Sequence, residues 1–489
     1  MAGPNVKELL AKVEALRASV LKEGGALAET WSNWIERPEF RESALNLARY
    51  LALRHHDLRP LQGPLMQLGL SSLGRLESRV IPALDAVCAT LAVLNGSKHG
   101  PWPSTGEFFS GELLLAERTA EVLGPASPNR PVHLLVTCPS EAASDPGFMR
   151  QIAKRGVEAI RINCAHDDAD AWTKMIVNAR AAERLTGRPL KVLMDIAGPK
   201  IRTGKVRQDG EKTRVMQEQL VALARPGRLA EVEPTLFAVE CTLAEPVAAA
   251  RPGDRVFFDD GAMAAVVERK AIWGVVVRVT KCPPDGFRVK TEKGLNFPDT
   301  EFHLAALTAK DLEDLDFIAG HADGIEFSYV QSADDVAELQ DELASRRATW
   351  RELSLILKIE TIRAVRHLPE IVVRAAGRQP SAIMIARGDL AVEIGFARLA
   401  EMQEEILWVG EAAQVPVIWA TQVLEHLIKR GTPLRGEMTD AAMSGRAECV
   451  LLNKGPHLFE AITELDGLLG RMGEHQHKKT SRLRKLASW

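Results

Sequence analysis

Two short runs carry the residues best suited to chemistry. Leu355-Ile356-Leu357-Lys358-Ile359-Glu360 is apolar and ends in an ammonium and a carboxylate. Ile383-Met384-Ile385-Ala386-Arg387-Gly388-Asp389 is a second apolar run ending in charge. In an extended strand, successive side chains take opposite faces. Leu355, Leu357 and Ile359 then share one face, and Ile356, Lys358 and Glu360 the other. Charge on the face of an apolar strand is costly unless it is paired or used, so Lys358 and Glu360 read as a buried ion pair or as part of a site. Gly388-Asp389 precedes a helical pattern, where backbone amides would face an anion beside a carboxylate able to hold a hard divalent cation. Two such runs, both at strand ends, favour a site over isolated ion pairs.

The elements that must position these residues begin at His133. Short apolar runs there alternate with helix-length segments. Eight read as strands: 133–137, 159–164, 191–196, 323–330, 353–360, 381–389, 415–422 and 448–454. Helical patterns such as Ala309–Ile318 and Ala333–Leu343 lie between them. Eight strand–helix units over about 250 residues predict an α/β fold, a (β/α)8 TIM barrel. Arg161, Asn163, Asp195, Lys358, Glu360, Asp389 and Thr421 fall at strand ends, where such a barrel places its chemistry.

One insertion interrupts the barrel at about 204–295. Its Val-rich runs, Val256-Phe257-Phe258-Asp259-Asp260-Gly261 and Trp273-Gly274-Val275-Val276-Val277-Arg278-Val279, predict a small β-barrel domain placed as a lid. Residues 1–130 read as a helical region. One stripe runs through Leu9, Val13, Leu16 and Val20, a second helix covers Arg41–His55, and a third carries Leu73, Leu76, Val80, Leu84 and Val87. The helix–Gly69-Leu70-Ser71–helix pattern has the outline of a DNA-binding helix-turn-helix, but no basic stripe accompanies it, and a helical packing module is the better reading. The expected division is 1–130 helical, 131–203 with 296–472 barrel, 204–295 lid, and 473–489 a basic tail that is a helix or a solvated end. Gly210 and Gly227 read as turns, and Trp172, Trp408 and Trp419 as packing residues.

At this point the residues resemble the pyruvate kinase family. Arg161-Ile162-Asn163, Asp195-Ile196-Ala197-Gly198-Pro199-Lys200-Ile201-Arg202-Thr203-Gly204, Lys358-Ile359-Glu360, Ala386-Arg387-Gly388-Asp389-Leu390 and Ala420-Thr421-Gln422 match its motifs in order and near their spacing, across about residues 131–472. The resemblance implies phosphoryl transfer between phosphoenolpyruvate and ADP, giving pyruvate and ATP. It implies that Glu360 and Asp389 hold Mg²⁺ or Mn²⁺, with Asn163 and Asp195 as further metal-site residues. Lys358 neutralises the phosphoryl group in flight, Arg161 grips the phosphate, the Gly388 and Asp389 amides hold the substrate carboxylate, and Thr421 lies on the proton-delivery path. Thr137, His166, Arg202 and Lys293 fall toward the nucleotide, with Asp259 and Asp260 reaching in from the lid. The chemistry agrees, because phosphoryl transfer needs positioning and positive charge more than covalent work from the protein.

The chain also departs from the family. Ala165 stands where a monovalent-cation-binding Ser is common, and Lys200 where potassium-dependent members carry Glu. An ammonium in place of K⁺ implies potassium-independent activity. Thr137-Cys138-Pro139 replaces the usual first-strand ending, and Asn453-Lys454-Gly455-Pro456 the usual eighth, which removes a hydroxyl and a carboxylate near the proton relay. The family's C-terminal effector domain is expected to be absent, with the N-terminal helices as a brace or an oligomerisation surface. Two other functions fit the same residues: a Mg²⁺-dependent lyase or aldolase acting on a pyruvate enolate without nucleotide, and a non-catalytic regulator or scaffold.

Totals narrow the class. With 489 residues, 46% hydrophobic and 26% charged, the chain has ample core for several domains. A formal net charge of −3 gives no global pull toward nucleic acid or membrane. The six cysteines are scattered and read as reduced thiols. No leader pattern, spanning apolar run, Walker A sequence or dinucleotide fingerprint occurs, so a cytoplasmic protein is expected, with a homo-oligomer open.

Overall fold

The computed structural model describes residues 3–207, 214–234 and 237–485; Gly210, read above as a turn, lies outside them. Strands β1 (His133–Thr137), β2 (Ala159–Asn163) and β3 (Lys191–Ile196) precede the insertion. The insertion supplies β4 (Thr203–Arg207), β5 (Leu220–Ala224), β6 (Phe237–Cys241), β7 (Arg255–Phe258), β8 (Met263–Ala271), β9 (Gly274–Lys281) and β10 (Leu295–Asn296). The chain continues with β11 (Gly324–Phe327), β12 (Ser354–Ile359), β13 (Ser381–Ala386), β14 (Val417–Ala420) and β15 (Cys449–Leu452). β1, β15, β14, β13, β12, β11, β3 and β2 close into a barrel in that order, with every pair parallel.

Each barrel strand lies within its expected run, but several stop short. Tyr329, Thr421 and Gln422 take left-handed φ values of 57°, 72° and 59°, which end the ladders and turn the chain onto the rim. Arg387-Gly388-Asp389 does not extend its strand; it opens the helix Arg387–Ile394.

The period of two sorts each strand by depth. Leu135, Ala159, Leu193, Ile356, Ala382, Met384, Ile418, Cys449 and Leu451 form one buried cluster that fills the barrel. Positions two residues further along the same faces are polar on five strands: Thr137, Arg161, Asp195, Lys358 and Asn453. The barrel is therefore apolar at its N-terminal end and charged at its C-terminal end.

Five helices precede the barrel: α1 (Val6–Thr30), α2 (Arg41–Arg54), α3 (Arg59–Gln67), α4 (Val80–Leu94) and α5 (Thr105–Leu123). The third expected helix starts at Val80, not at Leu73. Leu73 has φ 58° and its amide bonds to the Ser71 hydroxyl. Pro82 explains the difference, since within a longer helix it would clash with the preceding turn, whereas in the first turn no amide is required of it. The Gly69–Ser72 segment therefore joins no helix-turn-helix pair. Val122 and Leu123, at the end of α5, belong to the barrel's interior cluster, so this helix plugs the N-terminal mouth of the barrel.

The inserted strands form a seven-stranded sheet in the order β10-β7-β8-β9-β5-β6-β4. A bridge between Arg202 and Gly294 links its two edges, so the sheet rolls toward closure. Val221, Val239, Val256, Val275, Val277, Val279 and Phe258 fill its separate core. Asp259, Asp260 and Gly261 turn with φ values of 52°, 53° and 82° and point the β7–β8 turn back toward the barrel. The tail differs from both expected forms. A helix runs over Leu458–His475, and residues 476–481 then make a small hairpin. Lys478 and Lys479 anchor it to Glu448 and Glu77.

Arg118 joins the N-terminal helices to the barrel's outer layer. Its guanidinium donates to Ser43 Oγ at 2.8 Å and to the carbonyls of Glu39, Ala413 and Gln414 at 2.9, 3.2 and 3.1 Å. Burial holds its pKa down near 10. Arg118→Ala leaves three carbonyls and a hydroxyl without a donor, so it should cost about 3 kcal/mol, read as a lower urea midpoint at pH 7.

Candidate active site

The polar ends of the strands enclose a cavity of about 270 Å³ at the C-terminal mouth of the barrel, and Arg161, Lys358, Glu360, Asp389 and Thr421 all line it. Asp195 is its hub. It is buried and carries the Lys358 ammonium on Oδ1 at 2.8 Å, the Ser328 hydroxyl on Oδ1 at 3.2 Å, and the Arg161 guanidinium on Oδ2. Lys358 also donates to Ser328 Oγ at 2.6 Å and lies 3.6 Å from Glu360 Oε1. Arg161 is fixed by Glu326 at 3.0 Å and turns its Nη1 edge to the Thr137 hydroxyl at 3.2 Å.

Burial and charge compete at each group. Burial alone would lower the pKa of Lys358, but Asp195 and Glu360 outweigh it and hold the ammonium protonated. Burial would raise the pKa of Asp195, but Arg161 and Lys358 bring it below the usual carboxylate value. Glu360 is pushed up to about 6, chiefly by burial, with Asp389 adding repulsion against the pull of Lys358.

Glu360 and Asp389 reach the same cavity from neighbouring strand ends. Glu360 Oε2 accepts the Tyr329 amide at 2.5 Å, and both Asp389 oxygens lie 3.4 Å from the Lys200 ammonium. Two carboxylates on one cavity wall, one of them raised by burial and by its neighbour, are a suitable donor pair for a hard divalent cation. The described residues contain no group of three or more His, Cys, Asp or Glu arranged to hold a metal. Asn163 and Asp195 do not complete such a cluster: Asn163 Oδ1 accepts the Ala165 amide at 2.9 Å, and Asp195 is occupied by its cations.

A Cβ on Gly388 would lie 2.9 Å from the Thr421 methyl, so the close approach of these two rim segments requires glycine there. Arg387 holds the Thr421 side. It donates to the carbonyls of Ala420 and Thr421 at 2.8 and 2.6 Å, pairs with Asp440 at 2.5 and 2.9 Å, and lies 4.7 Å over the Trp419 ring.

A second cavity of about 270 Å³ adjoins the first through Arg161, Asn163 and Asn453. Thr137, His166 and Lys454 line it. Arg202 and Asp260 stand on the wall of the first cavity instead, reaching in from the insertion. Lys293 joins neither wall and pairs with Asp259 at 3.0 Å.

Glu326, Ser328 and Tyr329 escaped the reading of the sequence. Their signal was available: Glu326 and Ser328 alternate at a strand end as Lys358 and Glu360 do, and Glu326 pairs in register with Asp195. Burial pushes Glu326 up to about 7, with Asp195 repulsion added and Arg161 opposing, and its Oε1 has no partner.

A closed parallel barrel with a β insertion after its third strand, and with the polar inward-facing residues of its strands gathered at the C-terminal mouth, defines an α/β-barrel enzyme scaffold. Comparison gives the family. The model of the pyruvate kinase barrel domain matches residues 123–455. A pyruvate kinase of Agrobacterium vitis is 32% identical over 356 residues, 71% of this chain and 70% of its own. Pyruvate kinase 1 of Saccharomyces cerevisiae is 28% identical over 66% of this chain and 63% of its own, and a pyruvate kinase of Dictyostelium discoideum 30% over 64% and 60%. The chain belongs to the pyruvate kinase family. The matches span between 60% and 70% of the length of these relatives.

Glu326 makes stability depend on pH. Its folded pKa lies above the ordinary 4.5, so the folded state binds the proton more tightly than the unfolded chain. The contribution is complete below pH 4.5 and lost as pH rises through about 7. Glu326→Gln keeps its neutral side chain throughout. Its stability relative to wild type should therefore improve by on the order of 3 kcal/mol between pH 5 and pH 8, read from urea midpoints.

Proposed function

We propose that this protein is a pyruvate kinase, transferring a phosphoryl group between phosphoenolpyruvate and ADP. The observation that carries the reading is the single cavity in which Lys358, Arg161, Glu360 and Asp389 converge. No helix of the described residues is long and apolar enough to cross a membrane.

Each residue's task follows from its surroundings. Arg161 is held on two sides by carboxylates, while its Nη1 edge meets, among the described residues, the Thr137 hydroxyl, a neutral partner that a phosphate oxygen replaces at little cost. Lys358 is kept protonated and aimed by Asp195 and Ser328, so its charge is in place before phosphoryl transfer and requires no reorganisation. Glu360 and Asp389 would hold Mg²⁺ or Mn²⁺, which would supply positive charge against the anionic substrate. The Gly388 and Asp389 amides would hold the substrate's carboxylate. Thr421, held in a left-handed turn beside Gly388, stands at the enolate side of the pocket, on the path for the proton. The second cavity, with Thr137 and His166, would take the nucleotide, and Arg202 and Lys293 would approach it as the insertion closes over the mouth and excludes water. The division into helical region 1–130, barrel 131–203 with 296–472, lid 204–295 and tail 473–489 belongs to the same proposal.

Potassium independence is part of the reading. The Lys200 ammonium lies 3.4 Å from both Asp389 oxygens, and Ala165 lacks the hydroxyl oxygen a monovalent cation would use. A fixed ammonium thus supplies the monovalent charge beside the divalent-cation site. Rates in KCl and in tetramethylammonium chloride should agree within about twofold. Lys200→Glu should lose at least tenfold in tetramethylammonium and recover with K⁺; a wild type that needs K⁺ refutes this part.

ATP formation from phosphoenolpyruvate and ADP tests the whole. Lys358→Met should lower kcat at least 10³-fold, equivalent to about 4 kcal/mol of transition-state stabilisation, while leaving ADP binding intact. Equal background activity in wild type and variant, or failure of wild type to bind ADP, would overturn the reading.

A further inference from the structure

A separate cavity of about 180 Å³ lies at the opposite end of the barrel, beside the starts of β1 and β15. Its walls come from α5, the barrel, the helix Phe396–Ala412 and the C-terminal hairpin. Leu115, Ala116, Val132 and Ala447 give it an apolar side. For scale, an apolar cavity of about 150 Å³ in another protein accepts benzene.

The polar groups of the wall differ in what they have left to bond. Each charged group but one is paired: Glu112 with Arg79 at 2.6 Å, Arg446 with Glu404 at 2.7 Å, and Glu448 with Lys478. The Glu411 carboxylate makes no hydrogen bond or ion pair among the described residues. His133 is buried and places Nε2 at 3.0 Å from the Gly124 carbonyl. A carbonyl only accepts, so Nε2 carries the hydrogen and Nδ1 is an acceptor, and Nδ1 has no partner. Arg446 Nε and Lys478 Nζ also lack a hydrogen-bond acceptor, but both belong to cations already matched by Glu404 and Glu448, so the Glu411 carboxylate is the one unmatched charge on this wall among the described residues. Burial pushes Glu411 up to about 7; Lys478 and Lys479 pull against it, Glu77 and Glu448 add to it, and neither lysine makes a direct pair with it.

We infer that this cavity is a binding site for a small organic cation, a flat ring bearing an amidinium or amine, with its charge on Glu411 and its ring against the face of α5. The site is independent of the substrate pocket and of the phosphoryl-transfer reading. Its walls join α5, the barrel and the C-terminal hairpin, so an occupant ties all three together and stabilises the folded chain by mass action.

Benzamidine and benzoate, which share a ring and oppose in charge, are the probes, used on the full chain by calorimetric titration and thermal denaturation. Benzamidine should bind wild type saturably and raise Tm with concentration, and benzoate should do neither. Glu411→Gln should weaken benzamidine at least tenfold. Ala116→Trp, which fills the cavity from an exposed position, should abolish binding with the free protein's Tm kept. Lys358→Met should bind benzamidine as wild type does. Absence of saturable benzamidine binding, equal binding of benzoate, binding unchanged in Glu411→Gln or Ala116→Trp, or loss of binding in Lys358→Met would each overturn the assignment.

Discussion

The charged mouth of this barrel depends on one carboxylate. Asp195 is buried, and such a group is tolerated only with its charge matched. Arg161 and Lys358 match it, and in doing so both are drawn out of solvent and pointed into one cavity. Remove Asp195, and two cations would face each other and Glu326 across a low-dielectric pocket without a common partner. Asp195 therefore sets the geometry of the cations proposed to receive the phosphate, although its own oxygens are fully engaged.

A second carboxylate pair behaves in the opposite way. Burial and the nearby Asp389 raise the cost of ionising Glu360, and Lys358 and the Tyr329 amide offset it in part, while Lys200 faces Asp389. The two halves of the pocket are thus unequal: one has its charges matched, the other is left with negative charge to be answered by a ligand. That asymmetry separates residues that hold the site from residues that would hold a metal.

Much of this was legible before the fold. The alternation in Leu355–Glu360 and in Arg161–Asn163 placed their polar residues on inward faces, because a strand's period is fixed by backbone geometry. Eight apolar runs separated by helical segments implied the barrel for the same reason. Reading failed where local rules compete. Leu73 and Leu76 continue an apolar stripe, yet Pro82 sets the helix start at Val80. Glu326 and Ser328 follow the alternation of Lys358 and Glu360 but carry no motif. The tail's lysines looked solvated because their partners, Glu448 and Glu77, are remote in sequence.

The sequence by itself determined the element order, the inward faces, the β insertion and the residues at the strand ends, since these follow from backbone periodicity and turn chemistry. Only the tertiary structure decided which charges meet. Arg161 and Asp195 are 34 residues apart and Lys358 and Asp195 163 apart, and closure of the barrel brings them within bonding distance. It also decided that Lys200 faces Asp389, that α5 plugs the N-terminal mouth, and that Glu411 is left unpaired in a cavity. Pairing, burial and the pKa shifts they cause are properties of distance through space, which local sequence does not encode.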